Sequence, residues 1–483
     1  MKTTIERGTF YLLLSNLIFF LTGYAIYFGL GRLFDPALFG VYGVIISLVS
    51  VITVVLSDSI QLAVSRFVSR SEKKAQAILG KALTLHLIIG FIAFIAYFLL
   101  SDFIAFLLND QSLAFFIRLS SPVILFFPLF SVFLGYFNGL RHFKRQAMLN
   151  SFYYVAKLVF VLGLVVIGFG LLGAVMGFII ASFIALVLGL MLAKGIGTKT
   201  KAVNAIEILK FEMPLIGAII VLHLLNNMDL FFVKALTPAG ISSALSGYYL
   251  AASTLARMPQ LIVLAVSMVL FPLISGTTFK KNLRKTRFYI QHALRYALLV
   301  LVPLAFLFAS TSKELISLTY TSAYIQGSTA LSILVFGAAF YSIFLILSTI
   351  ISGSGKPGTT MLFSIIVLLV DFILNFFLVP VYSLDGAAYA ITISMLFGCI
   401  VAGAYVFNKF KVLVSIASTT KIILASIILF LASNFWQLTG ILLLAKYIAL
   451  ILLFLVILIA LKELTKKDLE VFQNMLRPSH AKK

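Results

Sequence analysis

The chain has 483 residues, of which 62% are hydrophobic and 11% charged, with a formal net charge of +22 and a mean hydropathy of +1.14. That balance excludes an ordinary soluble enzyme. Apolar runs of about 18 residues or more recur throughout, each long enough to cross a hydrocarbon core of roughly 30 Å as a helix, and only a helical bundle satisfies the backbone of such a chain in lipid.

Fourteen spans are predicted, the first near 9–31. It is too long for a signal peptide and lacks a small-residue cleavage site; one face carries Asn16, Gly23 and Tyr27. The second, 38–65, carries Asp58 and Gln61 and leads to Arg66 at its basic end. The third, 82–100, contains His86, which reads as a satisfied interior histidine, with a proton carrier as the alternative. After the fourth, 114–137, the fifth (147–167) lines up Asn150, Tyr153 or Tyr154, and Lys157. The sixth, 174–193, ends at a basic linker, 194–210.

Span seven, 211–234, places Glu212, His223, Asn226, Asn227 and Lys234 on one broad face, with Asp229 to its side. Asn226 and Asn227 fit either interhelical hydrogen bonds or a polar cavity. A carboxylate this deep in a span needs a cation or a proton, and Lys234 reads as snorkelling to the interface. In span eight, 244–274, Ser246, Tyr249, Ser253, Arg257 and Gln260 fall within a stripe roughly 80° wide. Pro259 predicts a kink beside Arg257, and the stripe reads as cavity-lining.

Spans nine (288–310) and ten (327–352) lead to "ISGSGKPGTTM", residues 351–361. Gly353, Gly355 and Gly358 satisfy the spacing G-x-G-x-x-G, but the string follows an apolar helix rather than a strand. Pro357 also offers no amide, so the string reads as a tight turn. Span eleven, 359–379, sets Asp371 and Asn375 one helical turn apart. Span twelve, 386–407, holds the single cysteine, Cys399, which can form no intrachain disulfide and reads as a small buried hydrophobe. Spans thirteen (418–434, interrupted by Lys421) and fourteen (440–461) complete the set. Metalloprotease, paired-cysteine and nucleophile-elbow motifs are absent and the connections are short, so no enzyme, metal or cofactor is expected.

The basic excess follows the loops. Most of the 37 Lys and Arg residues lie in alternate connections, while the opposite ones hold only Arg32 and Lys313. This places both termini in the cytoplasm and accounts for the charge without nucleic acid. A weak repeat relates the halves: "FNGLRHFKRQAML" (137–149) answers "ISGSGKPGTTML" (351–362), and "FGVYG" (39–43) answers "LSGYY" (245–249). Six spans precede the linker and six follow, as parallel repeats. The expected architecture is an all-α polytopic membrane protein of about 14 transmembrane helices. It comprises two parallel six-helix lobes, 1–193 and 211–407, joined by 194–210, an extra helix pair at 408–461 and a basic cytoplasmic tail at 462–483.

Residues 31–52, 136–177, 228–275 and 353–390, with their glycine, proline and small-residue spacings, resemble polysaccharide-biosynthesis flippases. These are Wzx-like members of the multidrug/oligosaccharidyl-lipid/polysaccharide exporter (MOP) superfamily, which includes the lipid II flippase MurJ. The resemblance spans about 1–410. It implies a multi-pass protein of the cytoplasmic (inner) membrane that moves a polyprenyl-pyrophosphate-linked oligosaccharide between leaflets by alternating access. Polymerase or glycosyltransferase partners would be expected. It matches Arg257 to a cavity arginine, Asp229 to an aspartate before the "G-x-Y" segment, and Arg66 to the basic end of span two. The arginine cluster that MurJ carries in its first span is missing, which argues against lipid II itself. The substrate-contact candidates are then Arg257, Lys157, Arg66, Asn16, Tyr27, Tyr154, Tyr249, Gln260, Asn226 and Asn227. Asp229, Asp371 and Asn375 are candidates for H⁺ or Na⁺ coupling. A multidrug and toxin extruder is the alternative within transporters, and a membrane-embedded glycosyl- or acyltransferase the alternative outside them.

Overall fold

The computed structural model describes residues 5–193, 205–436, 438, 440 and 442–464, apart from the side chains of 5–6, 261–266 and 268–269. Most of the expected linker and the tail from 465 onward lie outside the described residues. Within them the chain is helical and contains no strand.

Helix α1 (Ile5–Leu33) is followed by α2 (Pro36–Arg70), which starts where two local signals require it. The Asp35 carboxylate accepts the Leu38 amide at 2.8 Å, and Pro36 occupies the first helical position, where its missing N–H costs nothing. Next come α3 (Ala75–Leu99), the short α4 (Ser101–Leu107) and α5 (Leu113–Ser120), and α6 (Pro122–Gly139). Helix α7 (Phe143–Leu164) passes through a π-helical segment, Val165–Phe169, into α8 (Gly170–Ala193). Gly168 (φ +106°) and Gly170 (φ +53°) supply the left-handed backbone for the reversal. Beyond it, Gly177 lies so close to the backbone of Phe160 and Val161 that no side chain fits between the arms.

The remaining helices are α9 (Ala205–Leu236), α10 (Ala239–Ala256), α11 (Gln260–Phe279), α12 (Leu283–Ser310), α13 (Ser312–Thr319), α14 (Ser328–Gly353), α15 (Pro357–Phe410), α16 (Ile416–Phe435) and α17 (Leu442–Ala460). Helix α15 is itself a hairpin, reversing at Ser383 (φ +51°, ψ −127°). Gly398 on its return arm faces Val367 on the outgoing one. The glycine-rich string forms the α14–α15 turn: Gly355 has φ +87°, and Lys409 donates to the Ser354 hydroxyl at 2.8 Å.

Eleven of the described helical stretches are long and apolar enough to cross a membrane, among them Phe143–Ala193 and Pro357–Phe410 at 51 and 54 residues. Each of those two is a pair of antiparallel arms. Together with the broken α10–α11 passage, the crossings come to about fourteen. Span eight, expected to run unbroken with a kink, instead stops at Ala256 and restarts at Gln260, because Pro259 cannot donate to the preceding turn.

The helices group into two compact units. One comprises 1–251 with 375–387 and the other 252–374 with 388–483. In the first, α2 packs on α6 and α9, and α7 on α1 and α8. There "FGVYG" and "LSGYY" meet directly: a Cβ at Gly40 would overlap the Ser243 carbonyl, and one at Gly247 the Pro36 carbonyl. Backbones approach this closely only at glycine, the small-residue packing usual in membranes. In the second unit α12 is the hub, carrying α14 and α16. Leu307, Ile422, Leu429, Leu450 and Phe454 form the core that attaches the last two helices.

Candidate functional site

Asp229 sits on α9 with 1% exposure, and Asn375 on α15 is fully covered. The Asn375 amide donates to Asp229 Oδ1 at 2.9 Å. Asp371, also fully covered, lies one turn before Asn375 on α15. A carboxylate enclosed by protein inside a membrane is stable only with hydrogen bonds, a cation or a proton. For Asp229, the Asn375 amide supplies one such hydrogen bond.

Tyr249 is buried on α10, in line with Ser246 and Ser253. Arg257 lies past the end of that helix, in the three-residue break. Its amide donates to Ser253 O at 3.2 Å, and its carbonyl accepts from the Gln260 amide at 3.0 Å. The polar stripe read from the sequence is continuous on α10 alone; Arg257 and Gln260 are set by the turn at Pro259.

In the first unit, Tyr27 lies edge-on to Phe39 and Tyr42, and Tyr154 packs on Phe19 at 4.7 Å between centroids. Asp58 lies within electrostatic reach of Tyr154. Next to the half-buried Asn16, the Ser15 hydroxyl accepts from Asn150 at 3.1 Å and ties α1 to α7. The Lys157 ammonium stands 3.8 Å from the centre of the Phe178 ring, and the Arg66 guanidinium 4.2 Å from that of Phe211. An aromatic face stabilises a cation without neutralising it. Asn226 and Asn227 donate to the carbonyls of Leu222 and His223, one turn back on their own helix, each at 2.8 Å.

Lys234 does not snorkel. Its side chain is fully covered, and its ammonium donates to Asp110 (2.7 Å), Ser242 (3.1 Å) and Ser243 (2.6 Å). Asp110 belongs to the connection between α4 and α5. Partial burial raises its carboxyl, but the Lys234 ammonium and the Ser112 hydroxyl and amide outweigh that and hold it below the usual carboxylate range. The network lies beside the Gly40–Ser243 contact, so it pins α9, α10 and the 107–113 connection where α2 and α10 touch.

Two pairings escaped the sequence reading. One is Lys234 with Asp110, 124 positions apart. The other is His86 on α3 with Glu212 on α9, 3.5 Å apart and 1% and 0% exposed. Each residue stood out as an ionisable group in or beside a span. What the sequence lacked was helix adjacency, which alone makes them partners.

A helical membrane bundle with broken and hairpin passages and buried intramembrane charges has counterparts among solved structures. The fold is similar to that of the lipid II flippase MurJ in an inward closed conformation, with TM-score 0.78, 18% identity and coverage of 97% of this chain and 99% of that one. It is also similar to an inward-facing multidrug resistance MATE transporter of the MOP superfamily, with TM-score 0.69, 15% identity and coverage of 81% and 94%. A MOP superfamily transporter from Pyrococcus furiosus, described as having a binding pocket of reverse polarity, matches at TM-score 0.62 and 16% identity over 85% and 97%. At these identities the likeness defines the fold, that of a MOP superfamily transporter or flippase.

The sequence family is narrower. The polysaccharide biosynthesis protein family matches residues 5–278, more than half of the chain, and the chain belongs to it. The MatE family matches residues 214–377. An uncharacterized membrane protein of Methanocaldococcus jannaschii is 30% identical over 125 residues, covering 26% of this chain and 24% of that protein. That match spans about a quarter of the relative's length.

Proposed function

We propose that this protein is a secondary-transport flippase that carries a polyprenyl-pyrophosphate-linked oligosaccharide from the cytoplasmic to the outer leaflet by alternating access, for cell-surface polysaccharide biosynthesis. The observation that supports this most is the polysaccharide biosynthesis family match over residues 5–278. Arg257, Lys157 and Arg66 attract the diphosphate, for which a guanidinium fork is a matched donor. Lys157 rests on an aromatic ring rather than a carboxylate, so its charge stays available to an anion. Asn16, Tyr27, Tyr154, Tyr249, Gln260, Asn226 and Asn227 contact the sugars, whose hydroxyls both donate and accept.

Asp229, Asp371 and Asn375 bind the coupling ion, H⁺ or Na⁺. There is no catalytic residue and no cofactor in this reading. The protein resides in the cytoplasmic membrane with both termini inside, organised as the two six-helix halves 1–193 and 211–407. It works beside glycan polymerases or glycosyltransferases and not on nucleic acid.

The MatE family match and the MATE-like fold support a second reading, a cation-coupled drug extruder. Reconstitution separates the two. Vesicles containing the protein should translocate a polyprenyl-pyrophosphate oligosaccharide, and Arg257→Ala should abolish it. Movement of a cationic dye without lipid translocation would favour the extruder.

A further inference from the structure

Glu212 and His86 lie within the membrane-crossing stretches of α9 and α3, and the protein itself covers both. Among the described residues, neither carboxyl oxygen of Glu212 has a hydrogen-bond partner. Its one ionic neighbour there is His86 Nε2, at 3.5 Å from Oε2. On α2, Arg66 is engaged with Phe211 and Asp58 lies toward Tyr154. On α6, the Tyr136 hydroxyl meets Gln76 at 3.3 Å. On α5, Arg118 pairs with Asp102 of α4, just past the C-terminal end of α3, where Tyr97 lies. His223 stands three turns further along α9, while residues 70–74, Lys81, Glu207 and Lys210 are exposed. No ion pair joins any of these to Glu212 or His86 among the described residues.

We propose that His86 and Glu212 form a proton-binding site between α3 and α9, separate from the Asp229 and Asn375 contact. The site holds one proton in either of two forms. In one, a neutral carboxylic acid faces a neutral imidazole. In the other, the proton has left the carboxyl oxygen for the Nε2 lone pair, giving a carboxylate beside an imidazolium. Both have zero net charge, so exchange between them needs no water and no counterion. Adding a second proton, or removing the first, leaves a unit charge in a dry site, which is strongly unfavourable. The site therefore loads and unloads where water reaches it, and proton occupancy is linked to how closely α3 packs on α9.

The test requires no transport substrate, so its outcome is independent of the flippase reading. Full-length protein in lipid is titrated while the infrared carbonyl stretch of protonated carboxylic acids is recorded. A band from a desolvated acid should be present in the wild type and absent from Glu212→Gln. In His86→Gln its titration midpoint should shift by at least about one pH unit, a tenfold change in proton affinity. His86→Asn replaces that variant if it is not recovered folded. A band absent from the wild type at every pH, unaffected by Glu212→Gln, or titrating identically without the imidazole would overturn the proposal. A site that is only a packing contact predicts that last result.

Discussion

Replacing Lys234 with methionine keeps the stem and removes an ammonium that makes three hydrogen bonds, to Asp110, Ser242 and Ser243. Stranding one partner of a fully buried ion pair costs about 3–5 kcal/mol, while single interhelical hydrogen bonds in membranes average about 0.6 kcal/mol. The Lys234 side chain is wholly covered but that of Asp110 is 21% exposed, so water can partly re-solvate the orphaned carboxylate. The expected loss therefore lies near the lower limit, about 3 kcal/mol. Unfolding in mixed micelles of SDS and a mild detergent, followed by helical circular dichroism, measures it. Most of the loss should disappear when Lys234→Met is made in an Asp110→Asn background, because the stranded charge is then gone.

The pH dependence follows from the depressed Asp110 carboxyl. Its stabilisation is fully present above the unfolded carboxylate value of about 3.9 and fades as acid titrates the folded form below it. The Lys234–Asp110 coupling should thus be constant from pH 5 to pH 7, on the order of that margin above the unfolded value, and shrink in stronger acid. A Lys234→Met protein within about 0.5 kcal/mol of the wild type, or a coupling that grows in acid, would refute the reasoning.

Three further outcomes are expected. Gly247→Ala forces a methyl group into the Pro36 carbonyl, so it should lower stability by about 1–3 kcal/mol in the same unfolding assay; wild-type stability would mean that α2 and α10 do not touch there. Ser383 holds a backbone conformation suited to glycine, and Ser383→Gly should raise stability by up to about 1 kcal/mol, seen as a higher unfolding midpoint. An unchanged or lowered midpoint would count against strain at that reversal. Asp229→Asn keeps the shape of the carboxyl that accepts from Asn375 but removes its charge. Gradient-driven transport should fall at least tenfold, about 1.4 kcal/mol, with substrate exchange retained; equal loss of both would assign Asp229 to structure.

The spans were legible because the hydrocarbon core imposes a length and an apolar content that few other structures share. The turn at Gly355 was legible too, since Pro357 and the preceding apolar helix already argued against a phosphate loop. The repeat held more than was read from it: "FGVYG" and "LSGYY" were matched as equivalents, and they are also neighbours in contact. The fate of individual charges was hidden. Lys234 near the end of a span looks like a snorkelling lysine until Asp110 is brought to it by the fold. His86 and Glu212 each look like an isolated polar residue until α3 is laid against α9. The break after Ala256 was half legible, because proline predicts a lost hydrogen bond but not how far the helix unravels.

The central claim is tested most directly by translocation in vesicles. Purified protein reconstituted with a fluorescent polyprenyl-pyrophosphate oligosaccharide should expose that lipid to an outside reagent faster than protein-free vesicles do. The rate should respond to an imposed H⁺ or Na⁺ gradient, and Arg257→Ala, verified as folded, should return it to the protein-free level. A rate equal to that of empty vesicles, or an Arg257→Ala protein as fast as the wild type, would contradict the account.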